Sequence, residues 1–345
     1  MKRVSLMVMS LIFLAVIHLS VLFAGFFSPY DYAAQDRELP YCPPTSIHWV
    51  NKEGRPLWHP FVYRWVERAG GQRYQEDQRT PYSIHALTRG AKYTVGGMVT
   101  WDRHLFGVDP PARVFLMGSD GYGRDLFSRL LFGGQISLFA GLVATLFTLT
   151  FGVILGILAG FYGGWPDAII MRCVELFLAL PWLYLLLALR GLLPLHTSPA
   201  QAFLLFIIVI GLVGWARPAR LIRGVVLSAK ERKHLLAARS FGASDLYLVR
   251  CHILPEIRGL LLTQAALLIP QYVLAEVTLS FLGLGVGEPV PSWGGILATL
   301  QQYHVLISKW WMFSPGLILI PVILSYGVLS NSLQENRSQV GRWIE

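Results

Sequence analysis

The sequence predicts an all-α polytopic membrane protein: six transmembrane helices, with a small mixed α/β or irregular external subdomain between the first two. Three observations carry this. Of the 345 residues, 54% are hydrophobic and only 14% charged, against about 25% charged in soluble globular domains. The mean hydropathy is +0.50. Apolar runs long enough to cross a bilayer recur along the chain, and one stretch of about 90 residues interrupts them.

The apolar runs lie at 4–27, 135–160, 168–190, 201–216, 260–284 and 313–333. Their backbone groups find no water in lipid, so each is expected to be a helix. The first, in "MKRVSLMVMSLIFLAVIHLSVLFAGFF", has the basic start of a signal peptide. Its apolar stretch of about 20 residues exceeds the roughly 7–15 of a signal core and no A-x-A site follows, so it reads as an uncleaved anchor. Gly141, Gly152, Gly156 and Gly160 give the second run small-residue faces for close helix packing. The fourth run is short and extends into the polar segment after it. Pro181, Pro270 and Pro321 fall inside spans and are expected to kink them.

Loop charge sets the orientation. Residues 217–258 carry nine Lys and Arg against Glu231, Asp245 and Glu256, nine minus three or +6. Lys2 and Arg3 precede the first span, and Arg337 and Arg342 follow the last. The segment 191–200 has no Lys or Arg, and 285–312 has only Lys309. Both termini and the basic loop are therefore expected inside a cell inner membrane. The expected organisation is an anchor at 1–27, an external insertion at 28–118, a core of five spans at 119–333 and a cytoplasmic tail at 334–345. The insertion is rich in Pro, Trp and Tyr, with alternation that predicts short strands and turns. His48, His59, His85 and His104 are scattered through it without metal-ligand spacing, so no metal site is expected.

Several function classes are excluded. The net charge of +9 is accounted for by cytoplasmic loops, and no basic stripe is interleaved with aromatics, so nucleic acid is not an expected partner. Cys42, Cys173 and Cys251 form neither a CxxC pair nor an even external set. No GxxxxGK[ST] loop is present, and "GSDGYGRD" at 118–125 lacks the Lys of a phosphate cradle. No Ser/His/Asp or Cys/His set stands out, so no catalytic residue and no cofactor is expected.

One stretch fits neither a span nor a plain loop: "HLLAARSFGASDLYLVRCHILP", residues 234–255. Leu235, Leu236, Ala238 and Phe241 recur at helical spacing. Gly242 offers the left-handed conformation that ends a helix, and Ser244 or Asp245 can cap a second. Leu254 and Pro255 lead into the fifth span. Such a basic helical hairpin, with alanines allowing close approach, reads as a docking element for a cytosolic partner rather than a solvated loop.

Ala237 to Asp245, followed by "HILP" at 252–255, resembles the EAA coupling loop of ABC importer permeases of the dipeptide/oligopeptide/nickel family, C-type subunit. "MGSDGYGRDLFSRLLFGGQISL" (117–138), "GILAGFYGGWPDAIIMRCVELFLALPWL" (156–183) and "LAEVTLSFLGLGVGEPVPSWGGIL" (274–297) resemble the same family in order. The resemblance implies a type I importer permease without its own ATPase site. Its partners would be a second homologous permease, two cytosolic ATP-binding subunits, an external solute-binding protein and membrane lipid. It also implies that Leu235, Leu236, Ala237, Ala238, Phe241, Gly242, Asp245, Leu254 and Pro255 form the ATPase-coupling loop, with short peptides or similar small solutes as cargo. Two features depart from the pattern: Leu236 stands where the family has its acid, and 28–118 is longer than in typical members. Within the spans, Glu276 and Glu175 are candidates for lining or gating the pathway; Glu276 is also read as structural, and Glu175 as an ion pair with Arg172. Asp125 and Asp167 are read as cap or interface residues. The competing readings are a stand-alone secondary transporter and a membrane-anchored sensor or structural protein using the external segment.

Overall fold

Long apolar runs close their backbone hydrogen bonds internally by winding into helices, and most of this chain does so. A computed structural model describes residues 2–50, 56–67, 74–95, 99–191 and 198–342. The first span is α1 (Lys2–Leu22), continued after Phe23 by the single turn α2 (Ala24–Phe27). Strands β1 (His48–Val50), β2 (Pro56–Glu67), β3 (Tyr74–Val95) and β4 (Val99–Val108) come next. Then follow α3 (Leu126–Tyr162), α4 (Gly164–Ala179), α5 (Trp182–Gly191), α6 (Pro199–Gly214) and α7 (Ala216–Lys230). The chain closes with α8 (Lys233–Ser240), α9 (Asp245–Leu248), α10 (Leu254–Phe281), α11 (Trp293–Ala298), α12 (Tyr303–Ser308) and α13 (Ser314–Arg342).

Four of these stretches are long and apolar enough to cross a membrane: Ser5–Leu22, Leu126–Tyr162, Asp245–Phe281 and Trp310–Glu335. Two bent pairs bring the number up to six if each is one span. Gly164–Ala179 with Trp182–Ala188 bends by 90°, and Ala200–Gly214 with Ala216–Lys230 by 44°. The 90° break falls at Leu180 and Pro181, where proline disfavours helical geometry in the residue before it. Pro270 and Pro321 lie inside α10 and α13, which continue past them. Residues 192–197, part of the loop expected to face outside, lie outside the described residues, as do the side chains of Lys2, Arg3, Arg337 and Arg342.

The strands are longer than the short ones expected. They form one antiparallel sheet in the order β1-β2-β3-β4. The 22-residue β3 serves two partners in turn: its first half pairs with β2 up to Ser83↔Phe61, and its second with β4 from Ile84↔Val108. Pro81 sits close to this change of partner, where a missing N–H is tolerated. Among the described residues 28–118 contain no helix, so the insertion is a sheet with irregular flanks.

By packing, the chain divides into two compact units, each built from several segments. One comprises Met1–Leu14, Phe139–Leu279 and Pro321–Glu345; the other comprises Ala15–Leu138 and Ser280–Ile320. In the first, a Cβ at Gly152, Gly156 or Gly160 would fall 2.8 Å from Pro218 Cβ, 2.7 Å from the Ala219 carbonyl and 2.8 Å from Val226 Cβ respectively. These glycines let α3 lie against α7. Gly141 meets α10 in the same way, 2.6 Å from Val273 Cγ2. In the second unit the Trp293 indole, 1% exposed, donates to the Leu130 carbonyl at 2.9 Å. Ser119 Oγ accepts from Cys42 N at 2.8 Å and donates to the Leu39 carbonyl at 2.6 Å. Asp125 caps α3 by accepting from Ser128 N at 2.8 Å, and burial pushes its carboxyl up to about 6 against those hydrogen bonds.

The close approach at Gly156 is directly testable. Gly156→Ala drives a methyl group into the α7 backbone and is expected to cost about 1–3 kcal/mol in thermal unfolding of the purified chain. Gly224→Ala, with open space around it, is expected to be neutral or to stabilise by about 0.5–1 kcal/mol. Equal effects at both positions would contradict the packing described.

Candidate functional site

The basic hairpin is built by two capping motifs. Helix α8 ends at Phe241, and Gly242 takes φ of +82°, the left-handed region that costs a residue with a Cβ. Gly242 N donates to the Arg239 carbonyl at 3.0 Å and Ala243 N to the Ala238 carbonyl at 3.1 Å. This pair of bonds is a Schellman motif, which satisfies carbonyls that the helix end leaves open. Ser244 then accepts from Tyr247 N and caps α9, so Ser244 rather than Asp245 supplies the cap; Asp245 lies exposed in the first turn of α9, where its charge suits the helix dipole.

The second arm does not stop where expected. Leu254 and Pro255 open α10, the passage into the fifth span that the sequence predicts, but the helix reaches them without a break, running from α9 through a wider π-turn at Val249–Ile253. The wide turn ends two residues before Pro255, which has no N–H for the carbonyl one α-helical turn back. Leu254 is half-buried and Pro255 exposed.

The eight residues of α8 divide into two faces. Leu235 is 2% exposed and joins Leu248, Ile253, Ile257, Ile222 and Val226 in one apolar cluster, with Ala238 and Ala243 packed against it. This corrects part of the expected docking face, because Leu235 and Ala238 turn into the protein's own core. Turned outward are Ala237, Leu236 (49% exposed) and Phe241 (91%), with Leu246 and Tyr247 exposed beside them. A Cβ at Gly242 would meet nothing within 4 Å, so the turn itself is open to an approaching surface. Leu246 and Tyr247 were not singled out from sequence; two large apolar residues just after a helix cap were the available signal.

Polar clamps hold the base of the hairpin. Arg223 grips Asp167 bidentately, its Nη2 donating to Oδ2 at 2.6 Å, so Asp167 is an interface residue rather than only a cap. Lys230 Nζ donates to the Phe161 carbonyl at 2.7 Å, a cation placed on the C-terminal end of α3 where the helix dipole favours it. Arg232 pairs with Glu256 at 2.8 Å.

The two intramembrane candidates separate. Glu276 is 3% exposed within α10, while Glu175 is exposed and pairs with Arg172 at 3.0 Å. A cavity of about 270 Å³ opens at the 90° break, lined among others by Pro181, Trp182, Arg217, Gln271 and Tyr272. Neither Glu276 nor Glu175 is among its lining residues.

Against known proteins, residues 152–338 match the family described as binding-protein-dependent transport system inner membrane component. Residues 1–44 match the N-terminal transmembrane domain of oligopeptide transport permease C. The dipeptide transport system permease protein DppC of Bacillus subtilis (strain 168) is 36% identical over 227 residues, covering 66% of this chain and 69% of that protein. The oligopeptide transport system permease protein OppC of the same organism is 34% identical over 230 residues, covering 66% and 72%. Among solved structures, a chain from inward-facing MetNI methionine ABC transporter is 19% identical with a TM-score of 0.45, covering 60% of this chain and 95% of that one.

The division of α8 into two faces has a measurable consequence. Leu235→Ala empties part of a buried cluster and is expected to cost about 2–5 kcal/mol of stability. Leu236→Ala, one residue on but outward, is expected to stay within about 0.5 kcal/mol. Thermal unfolding of the two purified variants distinguishes them, and equal losses would overturn the facing described.

Proposed function

The chain belongs to the family of binding-protein-dependent transport system inner membrane components, and from that premise we propose that it forms one membrane half of an ATP-driven importer of short peptides. Membership in that family displaces both the stand-alone secondary transporter and the membrane-anchored sensor. The cargo reading is drawn from the dipeptide and oligopeptide permeases it resembles. In this reading each bent helix pair counts as one span, giving six, with both termini and the basic hairpin in the cytoplasm. The 28–118 segment then lies outside the inner membrane.

The observation that carries the mechanism is the outward face of the hairpin. Leu236, Ala237, Phe241, Leu246 and Tyr247 form an exposed apolar patch around an open turn, held against the permease core by Leu235, Leu248, Ile253 and Ile257. An exposed patch of this kind calls for a covering partner. The partners proposed are two cytosolic ATP-binding subunits, one on each coupling loop of a pair of homologous permeases, and an external solute-binding protein. ATP is bound and hydrolysed by those subunits, and no cofactor is assigned to this chain. Closing of the ATP-binding pair pushes on the hairpin. Because α9 is continuous with α10, the push passes along that helix into the membrane and alternates access to the pathway. Glu276 is read as a structural carboxylate of α10, and Glu175 as a surface pair with Arg172.

Phe241→Asp and Leu246→Asp place charge on the docking face without touching the buried seam. Each is expected to weaken docking by about 2 kcal/mol or more, roughly thirtyfold in affinity. Co-purification of the ATP-binding subunits and peptide uptake should fall together while membrane insertion is retained. Normal uptake with either variant would refute the hairpin as the coupling element.

A further inference from the structure

Four charged side chains meet in the unit formed by Ala15–Leu138 and Ser280–Ile320. The side chains of Arg124, Arg129 and Asp120 are 5%, 4% and 6% exposed, whereas that of Glu288 is 58% exposed. Arg124 Nε donates to Asp120 Oδ2 at 2.7 Å, and its Nη1 and Nη2 reach Glu288 Oε2 and Oε1 at 2.6 and 3.2 Å. Arg129 Nη2 donates to Glu288 Oε1 at 2.9 Å, and its Nε lies 3.3 Å from Asp120 Oδ2.

Three of the four are built into the fold. Asp120 is fixed by accepting from Tyr122 N at 2.8 Å and Arg124 N at 3.0 Å, inside a turn that Gly118 and Gly123 shape with positive φ. Glu288 instead stands on the loop 282–292 between α10 and α11. With Glu288 in place two cations face two anions. Without it the buried part keeps two guanidinium groups against one carboxylate, a net single positive charge that is costly to leave uncompensated. The buried groups therefore demand one carboxylate, and their fork geometry suits a bidentate one; Arg129 Nη1 also reaches the Pro289 carbonyl at 3.4 Å, a backbone contact that does not depend on the Glu288 carboxylate.

Beside the cluster is a cavity of about 360 Å³, within the range of about 300–1,000 Å³ usual for small-molecule sites. Besides the charged residues it is lined by Tyr41, Tyr122, Thr299, Gln302, His304 and Met312. It thus offers aromatic and apolar surface with hydrogen-bonding groups next to the arginines.

We propose that Arg124 and Arg129 form a receptor for the terminal carboxylate of a short peptide, occupied in this structure by Glu288 as a surrogate that the cargo displaces. This deepens the peptide-importer reading and rests on it. Exchange of one carboxylate for another conserves both the charge balance and the guanidinium hydrogen bonds. The cavity then takes the side chain of the cargo's last residue. A C-terminal amide lacks the compensating charge and turns N–H donors toward N–H donors, so the site rejects it.

The test uses the complete transporter in lipid nanodiscs, with trialanine and trialanine amide as probes and calorimetry as readout. Glu288→Gln removes the competitor's charge and is expected to bind trialanine about tenfold or more tighter than the wild type, with the amide bound by neither. Glu288→Asp, which keeps a competing carboxylate, is expected to stay near the wild type. Adding Arg129→Lys to Glu288→Gln should reverse the gain. Equal affinities of Glu288→Gln and wild type, or equal binding of acid and amide, would overturn the receptor. So would tighter docking of the unliganded solute-binding protein to Glu288→Gln without trialanine binding, which would assign the carboxylate to that protein. Peptide uptake into proteoliposomes is scored separately. Uptake without carboxylate-dependent binding removes the receptor and leaves the importer, whereas absence of uptake for every peptide removes both.

Discussion

The apolar seam through Leu235, Leu248, Ile253 and Ile257 is the contact on which the rest of the structure depends. These four residues, between 0% and 2% exposed, pack with Ile222 and Val226 of α7 and with Ile157 and Phe161 of α3. A loop of ordinary length between two spans moves independently of them. This one cannot, because opening it exposes a cluster whose large side chains are each worth about 1.5–3 kcal/mol of burial. The hairpin is thus packed against α3, α7 and α10, and displacing its outward face without them would open the cluster. The Schellman turn at Gly242 serves the same end, reversing the chain in few residues while closing its carbonyls.

Charge reinforces the seam where the helices leave the apolar region. Arg223 with Asp167 ties α7 to α4, Lys230 ties α7 to the end of α3, and Arg232 with Glu256 ties the start of α8 to α10. Exposed ion pairs contribute little, and Arg172 with Glu175 belongs to that class. The Arg223–Asp167 pair is more sheltered and bidentate, so its value lies in fixing geometry as much as in energy. A comparable economy governs the other unit, where buried arginines are tolerated because each is matched by an acid.

Much of this was legible in the residues. Gly242 and Ser244 announce their turn and cap through backbone preferences that act locally, and the small residues of α3 announce close packing. Which of Leu235 and Leu236 faces inward was not legible, because Leu235, Leu236, Ala237 and Ala238 are consecutive and apolar around most of the helix. Leu246 and Tyr247 were overlooked for a related reason: exposure depends on which neighbours arrive from elsewhere in the chain. The length of β3 was masked by Pro81, a strand breaker tolerated beside a change of partner. The run of α9 into α10 was masked by Pro255, which the π-turn accommodates. Arg124 and Glu288 are 164 residues apart, so their pairing has no local signature; "GSDGYGRD" could be rejected as a phosphate loop, but not recognised as half of an ion cluster.

The central claim is that Phe241 and Leu246 face a cytosolic ATP-binding subunit while Leu235 does not. A photoreactive p-benzoylphenylalanine placed singly at each of these three positions allows the contact to be read by photo-crosslinking in the assembled transporter. The photoreactive residue at position 241 or 246 is expected to crosslink to the ATP-binding subunit, with yields that change on ATP addition, and at position 235 to give none. Crosslinking from position 235 alone, or from none of the three in a transporter that still hydrolyses ATP, would contradict that facing.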